Sequence, residues 1–302
     1  MVIIMKGIIL AGGKGTRLSP LTKVTSKHLL PVYNKPMIYY PLSTLMELGI
    51  RDILIISTQE NINDFKNLLG NGINLGLSLI YTIQEKPGGI AEAFILASRF
   101  IGKDNVALIL GDNIFLGEGI MDLTRRPLQR IDKENEGACV FAYEVPNPES
   151  FGVVTFDANG IAIEITEKPV NPKSNYCITG LYLYDNQVIE YANSLCPSER
   201  NELEITDINN LYLKEGKLKV VIIDNRYKWI DAGTYDSLFY AGEIVRDLEI
   251  NNGVKTGHLE EIAYKKGWIT KNQLLDWCIN NCTIECANYL RTNFHGEIRR
   301  KK

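Results

Sequence analysis

The chain has 302 residues, 45% of them apolar and 23% charged, with a net charge of −3 at pH 7. That length suits one large α/β domain with an appendage, or two small domains, and the apolar content supports a real core. The slightly acidic balance offers no broad basic field for nucleic acid, and no apolar run of 18 residues offers a transmembrane helix, so no membrane partner is expected.

Residues 1–11 are apolar, carry one early lysine and lead straight into glycines. They read as a strand and not as a signal peptide. The strand breaks into Gly12-Gly13-Lys14-Gly15-Thr16-Arg17. Glycines let the backbone approach a ligand and adopt positive φ. At a strand end they let backbone N–H groups gather around phosphate, and Arg17 adds a forked cation. The loop lacks the Gly-Lys-Ser/Thr ending of a Walker sequence and the G-x-G-x-x-G spacing of a dinucleotide fingerprint. A helix is predicted over 36–48, with Pro36 as its first residue and Gly49 as its stop. Strands are predicted over 53–57, 77–83 and 106–110, with helices near 63–69 and 90–100 between them. Strands alternating with helices predict an α/β, doubly wound, mainly parallel (Rossmann-like) sheet. Ligands then sit beyond the carboxyl ends of the strands, where 12–17 and Gly111-Asp112 fall.

The middle, 138–185, is richer in strands and adds a strand-rich region over the same sheet, with turn signals at Pro146-Asn147-Pro148 and 169–172. From Thr234 the pattern is helical, over 234–248, 259–266 and 271–290. A division at 240/241 separates a catalytic domain, 1–240, from a helical C-terminal segment, 241–302. No repeat is present, and in particular no hexapeptide β-helix. The six cysteines, Cys139, Cys177, Cys196, Cys278, Cys282 and Cys286, form no C-x-x-C pair, and a reduced, cytoplasmic setting fits them. Spacing of four puts the last three on one helical face; helical burial is a commoner fate for them than a metal cluster.

From Gly12 the frame runs G-G-x-G-T-R-L-x-P-L-T, then Ser26-Lys27, Leu30-Pro31 and Lys35-Pro36. Further on come KPMIYYPLSTLMELGI (35–50), LILGDNIF (108–115), FGVV (151–154), EKP (167–169), SNYCITGLYLYD (174–185), ELEITDIN (202–209), WIDAGT (229–234) and EEIAY (260–264). This ordered set, spread over roughly 250 residues, resembles the sugar-1-phosphate nucleotidyltransferases, and within them the glucose-1-phosphate thymidylyltransferases. Related adenylyl- and N-acetylglucosamine uridylyltransferases usually carry the β-helix that is missing here.

The resemblance implies transfer of a nucleotidyl group from dTTP to glucose 1-phosphate, giving dTDP-glucose and pyrophosphate with Mg²⁺. It implies five catalytic residues: Arg17, Lys27, Asp112, Lys168 and Asp231. Asp112 and Asp231 are the implied metal ligands, although Gly-Asp-Asn is also good turn chemistry. The nucleotide side gathers Leu10, Gly12, Gly13, Gly15, Thr16, Arg17, Lys27, Gln84, Pro87, Gly89 and Asp112, with Gln84 to Gly89 as the base-reading loop. A glutamine amide suits that task because it both donates and accepts. The sugar side gathers Asn113, Gly152, Glu167, Lys168, Ile178, Thr179 and Tyr182. For Ile178, Thr179 and Tyr182, core packing remains an equal alternative. His28 stands where relatives often have glutamine; a phosphate oxygen needs no base, so no catalytic role is expected for it. The resemblance further implies a homo-oligomer, a tetramer. Trp268, Leu274, Leu275, Trp277 and Leu290 make the helical end a candidate interface or regulatory surface, and in this family it can hold a second nucleotide site. A uridylyltransferase and a catalytically silent, nucleotide-sensing subunit of the same fold are the alternatives.

Overall fold

The structure is a computed structural model that describes residues 5–117, 119, 122–134, 137–251 and 253–281. Strand β1 (Met5–Ala11) leads through the glycine loop to a two-strand ribbon, β2 (Pro31–Val32) and β3 (Lys35–Pro36), and then to helix α1 (Tyr39–Glu47). Next come β4 (Asp52–Ser57), α2 (Ile62–Leu69), β5 (Ser78–Ile83), the short helices α3 (Glu92–Leu96) and α4 (Ser98–Ile101), and β6 (Asn105–Leu110). A second run holds β7 (Asn113–Leu116), α5 (Asp122–Glu134), β8 (Ala138–Glu144), β9 (Gly152–Phe156), β10 (Ala162–Glu167) and β11 (Tyr176–Tyr184). The remainder is α6 (Val188–Ser194), α7 (Ile205–Lys214), β12 (Leu218–Ile223), β13 (Lys228–Asp231), α8 (Tyr235–Ile250), α9 (Leu259–Lys265) and α10 (Lys271–Asn281).

The main sheet is ordered β10-β9-β11-β6-β1-β4-β5, and β8 joins β11 to β12. Strands β6, β1, β4 and β5 are parallel, in a register that sets Gly7 beside both Ile53 and Ala107. Ile8, Ile9 and Ile53 to Ile56 are almost wholly buried, because helices cover both faces; such strands read as unbroken apolar runs. One core packs α1, α2 and α9 on one face, and a second packs α3, α4, α6 and α7 on the other. Strand β11 runs antiparallel to β6 and β8, and its pairing with β8 shifts between Ile178 and Tyr182. Strands β7 and β13 form a separate antiparallel pair that sets Asn113 against Asp231. Among the described residues no helix is long and apolar enough to cross a membrane.

The strands predicted over 53–57, 77–83 and 106–110 stand within a residue of their observed bounds; of the strand predicted over 1–11, residues 5–11 are observed, and 1–4 lie outside the described residues. Two helices differ. The first begins at Tyr39, not at Pro36, because Pro36 belongs to the ribbon. There Met37 donates its backbone N–H to Leu30 O at 2.9 Å and Ile38 to His28 O at 2.8 Å, which ties the turn after Pro36 back to the segment before β2. The helix predicted near 90–100 is two helices that meet at Ala97. Leu274 is buried, and Trp268, Leu275 and Trp277 pack against the first core, so these residues cover this chain's own interior. The side chain of Cys278, and Cys282, Cys286 and Leu290 entirely, lie outside the described residues.

Candidate active site

The predicted ligand residues gather at the carboxyl ends of β1, β5 and β6 and at the end of β13. At the end of β4, Ser57 Oγ donates to Ala11 O at 3.0 Å, and Gln84 donates its backbone N–H to Ser57 O at 2.8 Å. Those bonds tie the glycine loop to the loop that follows β5. Gly12 leaves room for the Gln84 side chain: a β-carbon there would lie 2.6 Å from Gln84 Oε1, which would have to move. Gly111 donates to Leu10 O at 2.9 Å, which brings the residue before Asp112 alongside β1.

Lys27 Nζ is paired with Asp112 Oδ2, and both side chains are largely buried. Asn113 Nδ2 donates to Asp112 Oδ1 at 3.1 Å, while its Oδ1 accepts from Gly180 N at 2.9 Å and from Trp229 Nε1 at 2.6 Å. Asn113 is thus fully buried and fixes Asp112 from within the protein. Ala232 donates its N–H to Asp112 O at 2.9 Å, so the β7–β13 ladder extends past Asp231 to the first carboxylate. Gly233 leaves room for the last cation: a β-carbon there would lie 2.6 Å from both Arg17 Nη2 and Asp231 Oδ1.

Two carboxylates this close cannot ionise independently. Burial pushes Asp112 up, but Lys27 and the hydrogen bonds it receives outweigh that and hold it below the usual carboxylate range. Burial and the charge of Asp112 push Asp231 up, against Lys27 and Arg17. His28 is buried, with Nδ1 3.0 Å from Ser26 Oγ. Burial, then Lys27, pushes its imidazole down to about 3, so it stays neutral and is a poor base.

Of the sugar-side residues, Gly152 and Lys168 lie beside Glu167. Its Oε2 accepts from Thr206 Oγ1 at 2.6 Å and its Oε1 from Arg200 at 3.2 Å, and Gly152 lies alongside Thr206. Lys168 has φ +41, a left-handed conformation that costs an L residue about 1–3 kcal/mol. Its N–H donates to Phe151 O at 3.0 Å, and its Nζ stands 3.9 Å from Glu167 Oε1 on an exposed side chain. Ile178, Thr179 and Tyr182 are buried on β11; among the described residues no partner reaches Thr179 Oγ1. Arg200 and Thr206 were not singled out in the sequence, since only folding brings them to Glu167. A third unpredicted residue is Glu92, whose Oε2 accepts from Gln84 Nε2 at 2.5 Å and from Gly88 N at 3.2 Å. The loop itself is zipped to Leu203, which donates to Gly88 O at 2.8 Å and accepts from Ala91 N at 3.2 Å.

A glycine loop, two carboxylates and two cations gathered beyond the ends of β1, β6 and β13 form a site for transferring a phosphorylated group. Residues 6–247 match the Nucleotidyl transferase family, and the chain belongs to that family. It is similar to a glucose-1-phosphate thymidylyltransferase of Neisseria meningitidis serogroup A, with 51% identity over 286 residues, 95% of this chain and 98% of that one. A Mycobacterium tuberculosis (strain H37Rv) protein of the same name is 51% identical over 271 residues, 90% of this chain and 92% of its own. A solved Bacillus anthracis structure, in complex with a sucrose, has 46% identity and a TM-score of 0.75, covering 85% of this chain and 99% of that one. A UDP-glucose pyrophosphorylase structure shares the fold at 23% identity, with a TM-score of 0.68 over 81% of this chain and 99% of its own.

Proposed function

We propose that this protein is a glucose-1-phosphate thymidylyltransferase, making dTDP-glucose and pyrophosphate from dTTP and glucose 1-phosphate. The observation that carries the chemistry is the Asp112–Lys27 pair facing Asp231 and Arg17 across the β7–β13 ladder. The relatives supply the substrates. A phosphate oxygen of the sugar attacks the α-phosphorus of dTTP; that P–O bond forms as the bond to the β-phosphate oxygen breaks. Little covalent chemistry falls to the protein, and positioning with charge neutralisation does most of the work.

The donor set fits magnesium, which takes one or two carboxylates and completes its shell with phosphate oxygens and water. Asp112 and Asp231 would hold it, and when bound it neutralises charge building on the α-phosphate. Arg17 and the glycine-loop amides hold the triphosphate. Lys27, paired here with Asp112, would turn to the phosphates, leaving that carboxylate free to hold the ion. Lys168 holds the phosphate of the sugar and Glu167 its hydroxyls. Gln84 reads the base. Purified protein with glucose 1-phosphate, magnesium and each nucleoside triphosphate, assayed for pyrophosphate, tests this; strongest turnover with dTTP is expected, and strongest turnover with UTP would make it a uridylyltransferase.

We assign the segment from 241 onward a regulatory role. It forms one wall of a cavity of about 1100 Å³, at the end of the sheet where β1 and β4 begin, lined by Arg51, Lys255, Gly257 and Lys265 among others. Thr256 Oγ1 and Glu261 Oε2 there are buried without a partner among the described residues. A sugar nucleotide of the product's class fits such a cavity, and binding of two such molecules per chain is the test. Exposed Tyr235, Phe239 and Tyr240 on α8 support a homo-oligomer, the state to be read from solution mass.

A further inference from the structure

Gln84 is buried, so its amide cannot turn freely against solvent. An amide rotated by 180° exchanges its donor and its acceptor. In one orientation it complements the O4 carbonyl and N3–H of thymine; in the other it complements the N4–H₂ and N3 of cytosine. A glutamine alone therefore does not choose between the two pyrimidines. Something must hold the amide.

The group in position to do so is Glu92, at the start of α3. Its Oε2 lies 2.5 Å from Gln84 Nε2 and also accepts the N–H of Gly88 at 3.2 Å. An ionised carboxylate only accepts hydrogen bonds. Turning the amide over would set Gln84 Oε1 against Glu92 Oε2 with no proton between them. The carbonyl is instead directed toward Gly12, where only the missing side chain leaves space for it. Glu92 is itself held by Gly88, in a loop zipped to Leu203.

We propose that Glu92 is a positioning residue that locks the Gln84 amide in the orientation complementary to thymine and uracil, and so sets discrimination against cytosine nucleotides. The proposal rests on the base-reading role given to Gln84 above. It concerns the pyrimidine edge alone and leaves dTTP against UTP to other contacts.

The test compares dTTP with dCTP, which share a sugar, by kcat/KM for pyrophosphate release with glucose 1-phosphate. Glu92→Met removes the acceptor, and the dTTP-to-dCTP ratio should fall about tenfold as dCTP use rises. Glu92→Gln should restore the ratio to within about twofold, because its carbonyl can accept from Gly88 and Gln84 together. Should Glu92→Met not fold, Glu92→Asp, which withdraws the carboxylate by one methylene, is read in the same way. Equal loss with both nucleotides would mean that Glu92 only props the loop, and would overturn the lock. Gln84→Ala separates the two ideas. If it collapses the ratio while Glu92→Met does not, the lock alone fails; if it leaves the ratio intact, base reading by Gln84 fails and the lock falls with it.

Discussion

Replacing Asp112 by Asn tests the centre of the site, because it removes one charge and almost no volume. Asp112 is buried and paired with Lys27, and removing one partner of a buried ion pair ordinarily costs about 3–5 kcal/mol. Here a second carboxylate is at hand. Asp231 is held up by burial and by the charge of Asp112; once that charge is gone it ionises more readily and can take Lys27 as its own partner. The net loss of stability should therefore stay below about 2 kcal/mol. Activity should respond very differently. A charge clamp on the transferred phosphate is worth about 3 kcal/mol of barrier, which is about a hundredfold in rate. The assay is pyrophosphate release at saturating dTTP, glucose 1-phosphate and magnesium, beside thermal unfolding without ligands. Turnover within about threefold of wild type would refute the metal-ligand role. A loss above about 4 kcal/mol would refute the transfer of Lys27 to Asp231.

Three further outcomes are expected. Lys168→Ala should raise the KM for glucose 1-phosphate much more than that for dTTP, and initial rates with each substrate varied in turn will show whether it does. Wild-type protein should turn over dTTP best and UTP measurably, since one methyl is worth only about 10–200-fold, with little use of CTP or ATP; Gln84→Ala should narrow the gap between dTTP and CTP, and a wild-type preference for CTP would contradict base reading. Glu249 joins the ribbon to the segment after α8, accepting from Lys35 at 2.7 Å and lying 3.2 Å from His258 Nε2. Burial opposes its charge, but the hydrogen bonds from His258 and Lys35 win and lower it to about 2 from 4.5. Burial likewise opposes the charge on His258, yet the bonds to Glu249 and Glu260 raise it above 6.5. Glu249 thus stabilises above about pH 4.5 and less as pH falls toward 2, while charged His258 stabilises below about pH 6.5 and less as pH rises through its raised value. The stability difference between wild type and Glu249→Gln, followed by denaturant unfolding, should be largest between those limits; a difference that grows steadily from pH 6 to pH 9 would contradict this.

The parallel strands were legible because burial on both faces demands unbroken apolar runs, and Gly7 to Ala11 or Val106 to Leu110 has few other fates. Pro36 misled because its fixed φ suits a helix start and a ribbon equally, and only the bonds from Met37 and Ile38 back to Leu30 and His28 decide between them. The small β7–β13 pair escaped notice because Asn113–Leu116 is only four residues long and its partner lies more than a hundred positions away. In the site, Arg17, Lys27 and Asp112 were named through the family resemblance that their motifs carry, and the fold brings Lys27 and Asp112 together; spacing alone would not have selected Lys27. Arg200 could not be named in advance, for it stands 33 positions from Glu167 in an ordinary polar stretch. Glu92 carried a faint signal, an acidic residue opening a helix just after a glycine turn, but nothing there announced its bond to Gln84. Of the apolar C-terminal residues that suggested an interface or regulatory surface, Trp268, Leu274, Leu275 and Trp277 pack against the chain's own core.

The two carboxylates hang from one short ladder, and that ladder has only four paired positions, from Lys228↔Leu116 to Asp231↔Asn113. A local fluctuation that parts β7 from β13 separates both ligands at once, without disturbing the wide sheet beside it. Under the metal-ligand role proposed for Asp112 and Asp231, substrate would bind only the closed ladder, so saturation should slow exchange of these few amides selectively. At a ligand concentration of about 100 Kd the opening becomes costlier by about 2.7 kcal/mol, roughly a hundredfold in protection. The amides of β4 and β5, whose pairing does not depend on the site, should keep their rates.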